Sequence, residues 1–192
     1  MDEKEIQELI RKLNDSDPEV RKSAIIVLKS AAQNGQDIST AFLALGNTLS
    51  DRDKWIRTFA AQAFEYAAEK GQNIIPAVPN LLSVLSDEDW IVVACATRAI
   101  NIFLGDFKSV SELNNFQGII ETSFSEWLKK QPSGRTKEKV DMELKLSSLL
   151  MNISKKKAEL SKGELLLGTT VEKPKDSGKK IYRSLRRVSR NG

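Results

Sequence analysis

"LSDRDKWIRTFAAQAF", residues 49–64, recurs in altered form on either side of itself. Upstream, residues 13–28 read "LNDSDPEVRKSAIIVL", and downstream, residues 85–100 read "LSDEDWIVVACATRAI". Each copy begins with a leucine, places two aspartates two residues apart, and then opens an apolar, small-residue pattern. The starting positions 13, 49 and 85 are separated by a constant 36.

Overlaying the copies produces columns at helical spacing. One column holds Val20, Ile56 and Val92, and four residues on it holds Ala24, Ala60 and Ala96. Val27, Ala63 and Ala99 follow, then Leu28, Phe64 and Ile100. Positions i, i+4, i+7 and i+8 share one face of a helix, so a long helix is expected over about 18–33, 54–69 and 90–104. A shorter helix should precede each, on the columns Ile6/Phe42/Val78, Leu9/Leu45/Leu81 and Leu13/Leu49/Leu85. Asp17, Asp53 and Asp89 fall where an N-cap belongs, accepting from orphan amides and complementing the helix dipole. Pro18 suits the first turn, where its missing donor is not needed. Gly35 and Gly71, again 36 apart, read as helix-ending turns.

Two antiparallel helices per 36-residue unit, stacked unit on unit, make an all-α solenoid. A single hairpin cannot bury its apolar faces alone, and repetition supplies the neighbour. "DPEVRKSA" and "DRDKWIRTFAA" resemble the loop and second helix of HEAT repeats, in which Asp, Val/Ile, Arg and Ala recur in that order. Asp17, Val20, Arg21 and Ala24 carry the resemblance in the first unit, and Asp53, Ile56, Arg57 and Ala60 in the second. The third unit departs, with Val93 in the arginine's place, which argues against an Asp–Arg ladder running the full stack. The resemblance covers about residues 2–104 and implies a right-handed solenoid acting as a protein-binding scaffold.

Three segments follow: residues 1–104 as three HEAT-like repeats, 105–157 as a divergent hairpin capping the stack, and 158–192 as a basic tail. Charge divides the same way. Residues 1–104 carry 11 Lys/Arg against 15 Asp/Glu, 105–154 carry seven of each, and 155–192 carry 12 against four. An acidic body therefore bears a basic tail. "GKKIYRSLRRVSRNG" spaces Ile181, Leu185 and Val188 as one stripe among Lys179, Lys180, Arg183, Arg186, Arg187 and Arg190. Such a segment suits nucleic-acid phosphate, an anionic membrane or a partner's groove. A plain solubilising tail is the bland alternative.

Composition removes most catalytic classes. The chain has no histidine and one cysteine, Cys95, so neither a histidine triad nor a Cys/His zinc site is available. Cys95 aligns with Ser23 and Phe59 and reads as a small packing residue. The aspartate pairs recur in every unit, which fits capping better than catalysis. No cofactor or metal is expected, and the chain is not expected to be an enzyme; nothing matches the constellation of HEAT-like bilin lyases. A HEAT-like DNA glycosylase would want a positive groove, whereas this body is acidic. The acidic N-terminal stretch and the lack of a long apolar run predict a protein of the cytoplasm or nucleus, and a monomer is expected.

The candidate binding surface is the inner face formed by the second helices. Trp55 and Trp90 stand at the starts of two of them as candidate aromatic anchors, with seam-covering as the alternative role. Gln62, Tyr66 and Arg98 lie outside the apolar columns on the same face. The mixture of aromatic, aliphatic and both charge signs there suits a protein or peptide better than phosphate.

Overall fold

The computed structural model describes residues 1–131, 133–134 and 136–166. Among them there is no strand, and no helix is long and apolar enough to cross a membrane. Four helical pairs follow one another: α1 (Glu3–Leu13) with α2 (Pro18–Gln33), α3 (Phe42–Thr48) with α4 (Lys54–Glu69), α5 (Val78–Ser83) with α6 (Trp90–Asp106), and α7 (Val110–Lys130) with α8 (Lys137–Leu166). The second helices pack in series, α2 on α4, α4 on α6 and α6 on α8, while the first helices form a parallel series from α1 to α7. The result is a two-layer α-solenoid. α8 continues through Leu166, beyond residue 157.

Local chemistry sets each helix start. Asp17, Asp53 and Asp89 adopt extended backbone, and each accepts from the amide two residues on, Glu19, Trp55 and Ile91, at 2.7 to 2.9 Å. Asp2 and Ser109 close capping boxes with Glu5 and Glu112. Gly35 and Gly71 lie at φ of 76° and 72°, so both turns need a left-handed residue, which glycine provides without Cβ strain. A 3₁₀ turn introduces α3 and another introduces α5, the second containing Pro76.

Alanine sets the spacing of the inner layer. Ala60, Ala61, Ala63, Ala67 and Ala68 of α4 are fully buried, as are Ala96 and Ala99 of α6. These small side chains let α2, α4 and α6 pack closely in series. Aromatics tie the layers: Phe42 meets Phe64 at 5.3 Å, and Phe103, Phe107 and Phe116 form a cluster with centroids 5.0 to 5.9 Å apart. Each such buried ring contributes on the order of 2 kcal/mol through removal of apolar surface from water.

Val27 breaks its column. Ala63 and Ala99 press against the second helix of the preceding repeat, but α2 has no such neighbour, and Val27 stays 45% exposed beside exposed Ile26. One periodic position thus has two environments.

Two ladders lock the repeats. On the loop rim, Arg21 donates Nε and Nη2 to the two carboxylate oxygens of Asp51 at 2.7 and 3.1 Å, and Nη1 to the carbonyls of Asp15 and Ser16. Arg57 repeats the arrangement on Asp87, Asp51 and Arg52. On the opposite rim, Gln72 accepts from the Ile38 amide and donates to the Gln36 carbonyl. The arginine ladder stops at Asp87, because Val93 follows in the register. At that junction Lys145 of α8 instead donates to the Leu85 carbonyl.

Candidate inner-face binding site

The exposed side of α2, α4 and α6 is built by what the core columns leave over. On α4 those positions are Trp55, Phe59, Gln62 and Tyr66, spaced four, three and four apart, so they run as one stripe along the helix. Trp55 is 48% exposed, and its ring contacts Phe59 at 6.3 Å between centroids. Gln62 is half-buried, and Tyr66 is half-buried with its ring packed against the core cluster. Trp90, at the start of α6, is the most open large apolar side chain described, at 75%. Both indoles stand at the loop-rim end of the inner layer.

Arg98 lies on the same face but is not a lone cation. Its Nη2 sits 2.6 Å from the Glu65 carboxylate and 4.0 Å from Glu69, while most of the side chain stays exposed. Glu65 is itself buried at 5%. A carboxylate removed from water in this way requires a counter-charge, so Glu65 fixes where Arg98 stands. The thiol of Cys95 completes the group; burial first, and then the hydrogen bond to Glu65, push its pKa up to about 12. At neutral pH it is a protonated packing residue with no nucleophilic character.

Two lysines cover aromatic rings here. Lys29 Nζ of α2 lies 4.6 Å from the Phe59 centroid, bridging adjacent repeats, and Lys54 Nζ lies 5.2 Å from that of Trp55. The ring faces of the stripe therefore attract cations.

Trp55, Gln62, Tyr66, Trp90 and Arg98 thus all fall on α4 and α6 of one layer. Phe59 and Lys29 belong to the surface too, and Glu65 lies beneath it; Phe59 and the burial of Glu65 were not read from sequence. For Phe59 a signal existed: its register partner Ser23 is polar and exposed, and the 55–59–62–66 spacing marks one stripe. For Glu65 none existed, since its burial depends on α6 lying over it. Lys179, Lys180, Arg183, Arg186, Arg187 and Arg190 lie outside the described residues. Among the described residues, no group of three or more His, Cys, Asp or Glu is placed to hold a metal ion.

Stacked helical pairs, a small-residue inner layer and an open aromatic face define a helical-repeat solenoid of the HEAT/armadillo kind. Residues 1–159 match the model of the Cnd1 family, described as non-SMC mitotic condensation complex subunit 1, and the chain belongs to that HEAT-like family. No curated protein sequence matches it. Among solved structures, it resembles an engineered protein at 22% identity over 79% of this chain, with a TM-score of 0.53. A designed armadillo repeat protein in complex with the peptide (KR)4 matches at 21% identity over 77% of this chain, TM-score 0.53. Another designed armadillo repeat protein matches at 19% identity over 91% of this chain and 78% of its own length, TM-score 0.54. The chain spans 63% and 64% of the first two. At these identities the likeness establishes the fold.

Proposed function

We propose that this chain is a non-catalytic binding scaffold, and that the inner face of the solenoid receives a protein or peptide segment. The observation that carries this is the Trp55–Phe59–Gln62–Tyr66 stripe with Trp90 beside it, in which the two indoles are 48% and 75% exposed and the other three side chains are half-buried. Trp55, Gln62, Tyr66, Trp90 and Arg98 are its proposed contacts. Exposed aromatics beside an arginine form the kind of surface on which binding energy concentrates. Support also comes from the family description, which names a subunit of a complex, and from the armadillo relative whose description includes a bound peptide. We further propose that residues 1–104 form the binding unit, 105–157 its cap and 158–192 a separate basic tail, and that the protein acts as a monomer in the cytoplasm or nucleus.

The test is selection of peptides from a displayed random library on the full chain, followed by affinity measurement on variants. Trp55→Ala and Tyr66→Ala should each weaken the selected peptides about tenfold or more while the helical circular dichroism is unchanged. Peptides that bind both variants as they bind the wild type would overturn the assignment. The second reading, phosphate or anionic-surface binding through the tail, is supported by its nine basic residues against four acidic ones over 158–192. It expects binding to DNA, RNA or anionic vesicles that weakens steeply with salt and is lost when Arg183, Arg186, Arg187 and Arg190 are replaced by serine.

A further inference from the structure

We propose that the rim end of the inner face, at Trp55, Phe59 and Trp90, is the docking surface for the chain's own basic segment, residues 179–190. The inference rests on the reading of that face as a docking surface and names its resident occupant.

The first argument is the chemistry of the surface. Its ring faces already hold two ammonium groups, Lys29 over Phe59 and Lys54 over Trp55, whereas among the described residues no cation lies over Trp90, which is three-quarters exposed. An open indole face beside carboxylates is a receptor for a lysine or arginine.

The second is charge complementarity. The loops over residues 15–21, 51–57 and 87–89 hold eight carboxylates against four basic groups, a net −4. Arg21 and Arg57 pair with Asp51 and Asp87, while Glu19, 3.9 Å from Lys22, and Glu88, 3.4 Å from Arg57, keep side chains 76% and 89% exposed. The patch is bounded, because the fourth pair turns the rim basic with Lys129, Lys130, Lys137 and Lys139. Residues 179–190 carry six Lys/Arg and no acid. Ile181, Leu185 and Val188, spaced by four and three, supply apolar groups for the indoles between those charges.

The third is length. α8 runs parallel to α6, since Lys145, Asn152 and Lys156 bond respectively to Leu85, Asn101 and Gly105. From the level of Gly105, α8 continues to Leu166, about 15 Å onward, while Trp90 lies about 22 Å back along α6. Lys179 is 13 residues beyond Leu166, enough to span about 43 Å when extended. The return therefore fits for Lys179 and everything after it.

The test is zero-length carbodiimide cross-linking of the wild-type full chain, joining tail amines at Lys179 and Lys180 to carboxylates, with the products read by mass spectrometry. Links should concentrate on Glu19, Asp53, Glu88 and Asp89. They should arise within one molecule in a mixture of isotope-labelled and unlabelled protein, and decline several-fold from about 0.05 M to about 0.5 M salt. The double variant Trp55→Ala/Trp90→Ala, checked by circular dichroism, should lose most of them. Links spread evenly over distant acids such as Glu3 and Glu126, or formed only between copies, overturn the proposal. In that event library peptides that still need Tyr66 leave the inner-face reading standing, so the two failures are distinguishable.

Discussion

Arg57 and Asp87 form a two-point bridge, Nε to Oδ2 at 2.8 Å and Nη2 to Oδ1 at 3.1 Å, that clamps the second repeat to the third. Their side chains are 10% and 8% exposed, so neither charge has water to fall back on. The guanidinium fork also satisfies the carbonyls of Asp51 and Arg52. Five acceptor atoms from two loops, 51–52 and 87–88, converge on one side chain. Arg57→Met should therefore destabilise by about 3 kcal/mol, because it leaves a carboxylate and two carbonyls without their donor. Arg57→Lys should recover little of this, since an ammonium cannot reproduce the planar fork. Urea unfolding of both variants is the measurement; wild-type stability in Arg57→Lys would mean that only the charge matters.

Asp51 should couple stability to acid. Burial works against its charged form, but the Arg21 fork and the Asp53 amide outweigh burial and hold its pKa below the ordinary carboxylate range. With the folded pKa depressed, the contribution is full above the unfolded value and is lost as pH falls through the folded one. The urea midpoint should decline between about pH 5 and about pH 2. In Arg21→Met the same interval should show a shallower decline, because the group that depresses the pKa is gone.

Ala60 tests the close approach of the inner helices. It is fully buried at the centre of α4, which packs on both α2 and α6. Ala60→Leu adds three heavy atoms where only a methyl fits and should cost roughly 1–3 kcal/mol. A urea midpoint equal to that of the wild type would show that the layer yields more easily than its packing indicates.

Cys95 should be silent to thiol reagents in the native protein. Burial and the Glu65 hydrogen bond keep it protonated to about pH 12. At about pH 8 an aromatic disulfide reagent should label it only at the rate of unfolding, and at once in denaturant. The unfolded chain gives up this proton from about pH 9, so stability should fall as pH rises above that value. Cys95→Ala should flatten that alkaline decline. Rapid native labelling would place the thiol in solvent.

The 36-residue period, the capping aspartates and the alanine columns were legible in the sequence because each is a local or periodic property. Helix phase follows from spacing, an N-cap from one side chain and two amides, and a repeat from self-similarity; the boundaries 18–33 and 54–69 follow from those alone. Even the end of the arginine ladder was visible, as Val93. The tertiary structure decided what depends on a neighbour. Val27 occupies an alanine-column position and is exposed, because no second helix precedes α2. Phe59 joins Trp55 and Lys29 in an open stripe that its alignment with Cys95 concealed. Glu65 is buried and fixes Arg98 only because α6 lies across α4. Burial and charge pairing are properties of two surfaces brought together, and a periodic sequence specifies each surface without stating what covers it.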